Sequence, residues 1–542
     1  MKVVILGGYG VFGGNLARLL MRDGHEVVIA GRNPAKGAAL AAELRVSAIA
    51  VDRNDDLSAL WAANPDAVVD AAGPFHAYGD DPYRLPRACI AAGVSYLDLA
   101  DDAAFCAGIS ALDDAARAAG VFALSGMSSV PAISSAALQA MAGEADEIAL
   151  ISSAILPGNR AARGTSVIAS ILHQCGTDRQ MPRAGETVTY RSWSRPARFD
   201  LGQDIRRRGW MIGVPDQALF TKAFGARTVE FRAGMELGLM NQGLAILSWL
   251  RGKLRFGMPR WFVRLMEWLA QMLAPFGTDV GGMSVAVVAR HGAVRRRDTW
   301  RMVVRGGEGP YIPAVPARAV LRDAGKVTPG ARPAVAEVPL ADVENAMKDL
   351  AVTTERLSED ITPLFPGFLG ADFAALPAEV QAGHEVYGPF KMAGRVKVSR
   401  GSGLWPRLIA FLFRFPPASD DVPVTVTMTP QDGGELWERR FGRSRFQSFL
   451  KVQNGQMTER FGPLTFTLGL HVADGKLHYP VQKGQLGPIP LPRFMLPVSE
   501  AQEFASDGKF RFDVALRAPL TGGLMVHYQG WLVPSGLGDG EE

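Results

Sequence analysis

Cysteine is scarce in this sequence and poorly placed for any structural task. Cys89, Cys106 and Cys175 form no CxxC and stand beside no histidine pair. A disulfide framework and a thiolate zinc site are therefore excluded, and a reducing compartment is the expectation. Long apolar runs are also missing, since no stretch reaches the roughly 18 uncharged residues that a spanning helix needs. The first residues enter a strand pattern with no basic segment, apolar core and cleavage site ahead of it, so a cytoplasmic protein is expected. Charge of one sign is scarce too. The 58 Lys and Arg against 54 Asp and Glu leave a formal net charge of +4 over 542 residues, which makes no electrostatic footprint for nucleic acid. No HExxH helix, P-loop or Ser-His-Asp order occurs, and no metal site is expected.

What is present is an alternation. From residue 2 to 125, short apolar runs recur as "KVVILG" (2–7), "EVVIAG" (26–31), "VSAIAV" (46–51), "DAVVDA" (66–71), "VSYLDL" (94–99) and "VFALS" (121–125), with Ala- and Leu-rich helical segments between them. Strands joined by helices of this size need right-handed crossovers and a parallel sheet covered on both faces. The fold class is α/β, a Rossmann-like doubly wound parallel sheet over residues 1–129. Residues 130–360 read as a looser α+β substrate or dimerisation domain, with its strands beginning at "EIALISSAIL" (147–156) and a helix at 164–174. The late segment 340–352 is expected to return to the first sheet. The Pro/Gly-rich "ITPLFPGFLG" (361–370) marks the next boundary, and residues 361–542 read as a mainly antiparallel β domain, a curved sheet or partial barrel. Its "LHVADGKLHY" carries an Asp-Gly hairpin turn.

Gly8, Gly10 and Gly13 fit GxGxxG, and Gly7 extends the match to GxxGxxG. Such a loop between a strand and a helix brings backbone up to a pyrophosphate, with Val11 and Phe12 opening the helix whose N–H groups receive the phosphates. The end of the second strand decides between NADP and NAD. A carboxylate there would hold the ribose 2′-hydroxyl of NAD, but this chain has Arg32, whose guanidinium suits a 2′-phosphate, so NADP is expected ahead of NAD. The fourth strand ends "DAAGPFH". Ala72, Gly73 and Pro74 would border the cofactor, with Phe75 and His76 facing the nicotinamide or the substrate, although for His76 alone a surface or structural role is the stronger reading. Asp98 and Asp102 follow the fifth strand and are candidates for the substrate side, although capping of the next helix is the stronger reading of Asp102. Ser128 follows the sixth strand and would either face substrate or cap. The helical Tyr-x-x-x-Lys pair of short-chain dehydrogenases is absent from the first domain, and no catalytic residue is assigned.

The stretches "GGYGVFG" (7–13), "AGR" (30–32), "DAAGPF" (70–75), "ACIAAGVSYLDL" (88–99) and "GMSSVPAISSAAL" (126–138) resemble the saccharopine dehydrogenase-like family of NAD(P)-binding oxidoreductases. The resemblance is specific over residues 1–140 and looser to 355. That family often has a Gly-Glu pair after its "YLD" segment, where this chain has Asp101-Asp102. Residues 363–535 resemble a domain of unknown function that accompanies this dehydrogenase-like region in some bacterial proteins. The resemblance implies hydride transfer to or from a C=N, C=O or activated C=C bond of a small-molecule substrate held between the first two domains. The rival reading is a membrane-associated or scaffold protein that binds the dinucleotide without catalysis.

Residues 244–277 are the most apolar part of the chain. In "WFVRLMEWLAQMLA" the only polar residues are Arg264, Glu267 and Gln271, which share one narrow stripe. Such a helix is expected to bury most of its circumference in a core or a homodimer interface. The alternative is an interfacial membrane helix, because Arg251, Lys253, Arg255 and Arg260 flank it. A second such segment is "LWPRLIAFLFRF" (404–415). Peripheral contact with the inner face of a membrane and a lipid-like substrate are the corresponding expectations.

Overall fold

The computed structural model describes residues 1–162 and 165–535. Gly164, at the head of the expected segment 164–174, and positions 536–542 of the expected last domain lie outside them. The chain divides into two compact units. The first holds residues 1–182, 187–291 and 297–359, and the second holds 183–186, 292–296 and 360–542.

The six expected strands form as β1 (Lys2–Leu6), β2 (Glu26–Gly31), β3 (Ser47–Ala50), β4 (Ala67–Asp70), β5 (Ser95–Asp98) and β6 (Phe122–Ser125). They pair in parallel in the order β3-β2-β1-β4-β5-β6. Side chains alternate across this sheet, so Val3 and Ile5 enter one core while Val4 and Leu6 enter another. With β1 and β4 central and the chain winding outward from both, a crevice opens at their carboxyl ends.

A seventh strand, Gly330–Pro333, adds in parallel beside β6 after an excursion of about two hundred residues. The returning element is thus this strand, with a helix at Leu340–Asn345 following it. The excursion supplies six strands of a second, mixed seven-stranded sheet, including Glu147–Leu156, Val229–Ala233 and Gly281–His291, and Val352–Asp360 completes it after the return. The regions expected as separate domains on either side of residue 129 therefore fall in one compact unit. Two contacts explain this. Val3 and Ile5 share a core with Trp193, Trp210 and Trp300, and buried Arg318 grips Asp23, just past the first helix, with two bonds of 2.8 Å.

The second unit is built on a 13-stranded sheet whose pairs are all antiparallel, running from the strand His471–Ala473 at one edge to Ile489–Pro490 at the other. The expected turn is present, with Asp474 and Gly475 both at positive φ between His471–Ala473 and Lys476–His478. Helices Leu364–Leu369 and Ala378–His384 place Phe365, Val380 and His384 against its inner face.

Candidate functional site

The site is assembled from the turns that follow β1, β2, β4 and β5. After β1 the chain reverses tightly. Gly7 sits at φ 73° and a Cβ there would stand 2.7 Å from Ala72 Cα, so only glycine lets the loop lie on the turn after β4. At Gly13 a Cβ would meet Gly7 O at 2.5 Å and Gly8 Cα at 2.9 Å, which would force α1 (Val11–Arg22) off the loop. Gly8 N–H is spent on Ile5 O and Ala30 O, and Gly10 N–H on Gly7 O. Gly10 is the N-cap of α1, and no side chain bonds to the first turn. The N–H groups at Val11, Phe12 and Gly13 are therefore free to receive an anion at the positive end of the helix. Val11 lines a hollow of about 340 Å³ with Tyr9, Gly10 and Arg18, while Phe12 packs into the core. These residues fit a dinucleotide pyrophosphate.

At the end of β2, Gly31 is buried under the ring of Tyr9, whose hydroxyl accepts a hydrogen bond from Asn33 N–H at 3.1 Å. That contact holds the turn in which Arg32 lies exposed, with neither an ion pair nor a hydrogen bond. The guanidinium is thus available to a 2′-phosphate without a competing carboxylate to displace. Tyr9 has no counterpart in the sequence-level reading, because nothing in a glycine-rich loop announces which way its one aromatic folds.

The turn Ala72-Gly73-Pro74 connects the cofactor cradle to a cleft. Ala72 touches Gly7 at one end, and four residues later His76 lines a cleft of about 650 Å³ together with Asp101, Asp102, His173, Gln174 and Arg179. His76 stacks on His173 with ring centroids 5.0 Å apart. Burial and the nearby His76, Arg179 and Arg251 hold the His173 imidazole below its ordinary range, so it is a neutral acceptor at neutral pH. Arg179 Nε is buried without a hydrogen-bond partner. Gln174 ties the helix Thr165–Gln174 to the Gly213 backbone with bonds of 3.0 and 3.2 Å, which fixes the wall that carries His173. The cleft volume and its mixture of ionisable and amide groups suit a small polar molecule or the polar end of a larger one.

Four expectations need correction or sharpening. Phe75 does not face the cleft: it is buried in an aromatic cluster, 4.8 Å from Tyr78 and 5.1 Å from Phe105 by ring centroids. Asp98 is fully buried, and its Oδ1 accepts bonds from Ser125 Oγ, Ala100 N–H and Gly126 N–H, so it joins β5 to β6 and does not reach substrate. Burial pushes its carboxyl up to about 7 against those hydrogen bonds. Asp102 caps the helix Ala103–Gly108 through Phe105 N–H at 2.9 Å and also lines the cleft. Ser128 is half-buried, caps nothing, and lies outside the walls of the cleft.

His173, Gln174 and Arg179 escaped the sequence reading because they come from the middle region and meet His76 only in the folded chain. Asp70 escaped it as well. This carboxyl is buried, takes bonds from Ala72 N–H and Tyr78 Oη, and is pushed above its ordinary range by burial. Among the described residues no group of three His, Cys, Asp or Glu side chains could hold a metal ion.

Comparison with known proteins agrees with the two ends of the chain. No curated protein matches it. Among solved structures, an apo saccharopine dehydrogenase (L-Glu forming) from Saccharomyces cerevisiae aligns at 13% identity and a TM-score of 0.45, covering 66% of this chain and 99% of that one. A putative short-chain oxidoreductase from Thermus thermophilus aligns at 37% identity over 13% of this chain and 36% of that one, with a TM-score of 0.12. A 3-ketoacyl-(acyl-carrier-protein) reductase from Brucella melitensis, complexed with NADH, aligns at 18% identity and a TM-score of 0.19, covering 23% of this chain and 72% of that one. Two family matches are direct, at residues 3–124 and 376–532. Residues 3–124 match the family model described as saccharopine dehydrogenase NADP binding domain, and residues 376–532 match the model described as domain of unknown function DUF4166.

Proposed function

We propose that this protein is an NADP-dependent oxidoreductase that moves hydride to or from a C=N, C=O or activated C=C bond of a small substrate in the His76 cleft. The observation that carries the reading is the segment Ala72–His76, which touches the glycine loop at one end and lines the cleft at the other. NADPH, when bound, supplies the hydride. The protein must then exclude water, orient the acceptor and provide one proton to the nitrogen, oxygen or carbon that gains it. On this reading His76, stacked on a neutral His173, holds that proton, and Arg179 in the same cleft binds an anionic substituent. The polar lining favours a substrate whose reacting end carries charged or hydrogen-bonding groups.

The test is NADPH oxidation by the full chain against imines, ketones and enoyl compounds bearing a carboxylate. His76→Ala should lower turnover by about 10²- to 10⁴-fold, the usual range for loss of a general acid. Its NADPH affinity should stay unchanged. A protein that binds NADPH while no such compound oxidises it would favour the scaffold reading.

A further inference from the structure

Two successive helices of the first unit turn apolar residues to the solvent. Among its described side chains, helix Arg260–Leu273 has none that is fully buried, so the core burial expected from its sequence is not found within the chain. Trp261 is 66% exposed, Trp268 54% and Met272 57%, with Leu265 and Leu269 on the same arc. In helix Gly238–Leu254 the exposed stripe is Leu239, Ile246, Trp249, Leu250 and Leu254, again at helical spacing. Normal surface helices show the reverse arrangement.

Cations border both stripes. Lys253, Arg255 and Arg264 are exposed, and Lys253 Nζ lies 4.3 Å from the centroid of the Trp249 ring. Residues 238–277 contain five basic residues and a single carboxylate, Glu267, which falls outside the exposed arc. That is a net +4 in one segment, equal to the formal net charge of the whole chain. No helix among the described residues is long and apolar enough to cross a membrane.

We propose that residues 238–276 dock in the plane of an anionic lipid surface, with the Trp and Leu stripes at the acyl boundary and the cations among the headgroups. An amphipathic helix with a Trp/Leu face and basic flanks has this affinity. Charge decides between a membrane and a second copy of the chain. A two-fold symmetric dimer presents one patch to itself, so each +4 segment would face another +4 segment. An anionic bilayer neutralises the same charge.

The docking face is wired to the cleft. Arg251 Nη1 donates to the carbonyls of Leu172, His173 and Cys175 at 3.1, 2.7 and 2.8 Å, at the end of the helix that carries His173 and Gln174. A membrane-bound helix Gly238–Leu254 would therefore hold the cleft wall near the lipid surface. Docking itself does not depend on the proposed reaction.

The test is co-sedimentation of the full chain with phosphatidylcholine vesicles with and without about 30 mol % phosphatidylglycerol, at low and high salt. Binding is expected only to the anionic vesicles and is expected to weaken with salt. Trp261→Ser/Trp268→Ser and Lys253→Glu/Arg255→Glu should each weaken binding by at least about tenfold, since one cation near such a surface is worth about a fivefold change. These side chains are exposed, and unchanged NADPH binding will show that both variants fold. Three outcomes would overturn the proposal. The wild-type chain could stay in the supernatant with anionic vesicles at low salt. Either variant could bind as the wild type does, for example through the exposed Leu404–Leu412 helix of the second unit. The wild type could be a dimer that Trp261→Ser/Trp268→Ser dissociates.

Discussion

Replacing Arg32 separates recognition of the 2′-phosphate from recognition of the rest of the dinucleotide. Arg32 is exposed at the end of β2 and makes no contact that a ligand would have to break. A hydrogen bond to a charged group contributes about 1.5 to 3 kcal/mol. Arg32→Ala should therefore raise the Kd for NADPH by roughly tenfold to a hundredfold and leave NADH nearly untouched. Arg32→Asp should go further, because the carboxylate repels the 2′-phosphate and can accept a bond from the 2′-hydroxyl of NADH. The turn itself should survive either change, since Tyr9 Oη and Asn33 N–H hold it without the guanidinium. Lys36, one turn into the next helix, is the internal control, being the nearest other cation in the sequence. Titration of nucleotide fluorescence with both cofactors gives the two affinities for each variant. An unchanged NADPH to NADH ratio in Arg32→Asp, or a larger loss in Lys36→Ala than in Arg32→Ala, would refute the assignment.

Three further outcomes follow from packing and burial. Gly13→Ala places a methyl group 2.5 Å from Gly7 O, a backbone atom that cannot rotate away, so it should cost about 1–3 kcal/mol in urea unfolding and abolish NADPH binding. Gly243→Ala has open space around its Cβ inside a helix, and should instead stabilise by about 0.5–1 kcal/mol. Asp216 is buried and its carboxyl is pushed up to about 7 by desolvation. The native state then holds a proton that the unfolded chain releases near pH 4, so stability falls as pH rises from 4 to 7 and is level above. Asp216→Asn removes that dependence and should gain up to about 4 kcal/mol at pH 8 and almost nothing at pH 4. Chemical denaturation at the two pH values measures the difference, and an equal effect at both would contradict the burial argument. Asp98, also pushed up to about 7, leaves part of the slope in the variant.

Much of the first sheet is legible because its strands are buried on both faces and so read as unbroken apolar runs. The strand Gly330–Pro333 is not legible. Its four residues include a proline and a glycine, and it becomes a strand only because β6 offers a parallel edge. The second unit announces its hairpins through chemistry, since Asp432-Gly433, Asn454-Gly455, Asp474-Gly475 and Asp507-Gly508 all turn with both residues at positive φ.

Candidate-site residues divide along the same line, between those whose role is local and those whose role is set by what folds against them. The cofactor loop and the Asp102 cap are local, and sequence spacing places them correctly. Phe75 and Asp98 follow strands that end at the crevice, which suggested a ligand. What decides their direction is the aromatic cluster around Phe105 in one case and the N–H groups of Ala100 and Gly126 in the other. Helix 260–273 shows the same limit most sharply. The spacing of Arg264, Glu267 and Gln271 correctly gives a narrow polar stripe, and from that stripe one expects the opposite face to be buried. In the structure the apolar arc faces outward, and Glu267 Oε1 is the atom buried without a hydrogen-bond partner. Water at neutral pH penalises both ends of that arrangement. Together with the outward stripe of helix Gly238–Leu254 and the basic residues beside both, that exposure is what gives the outward face its functional reading.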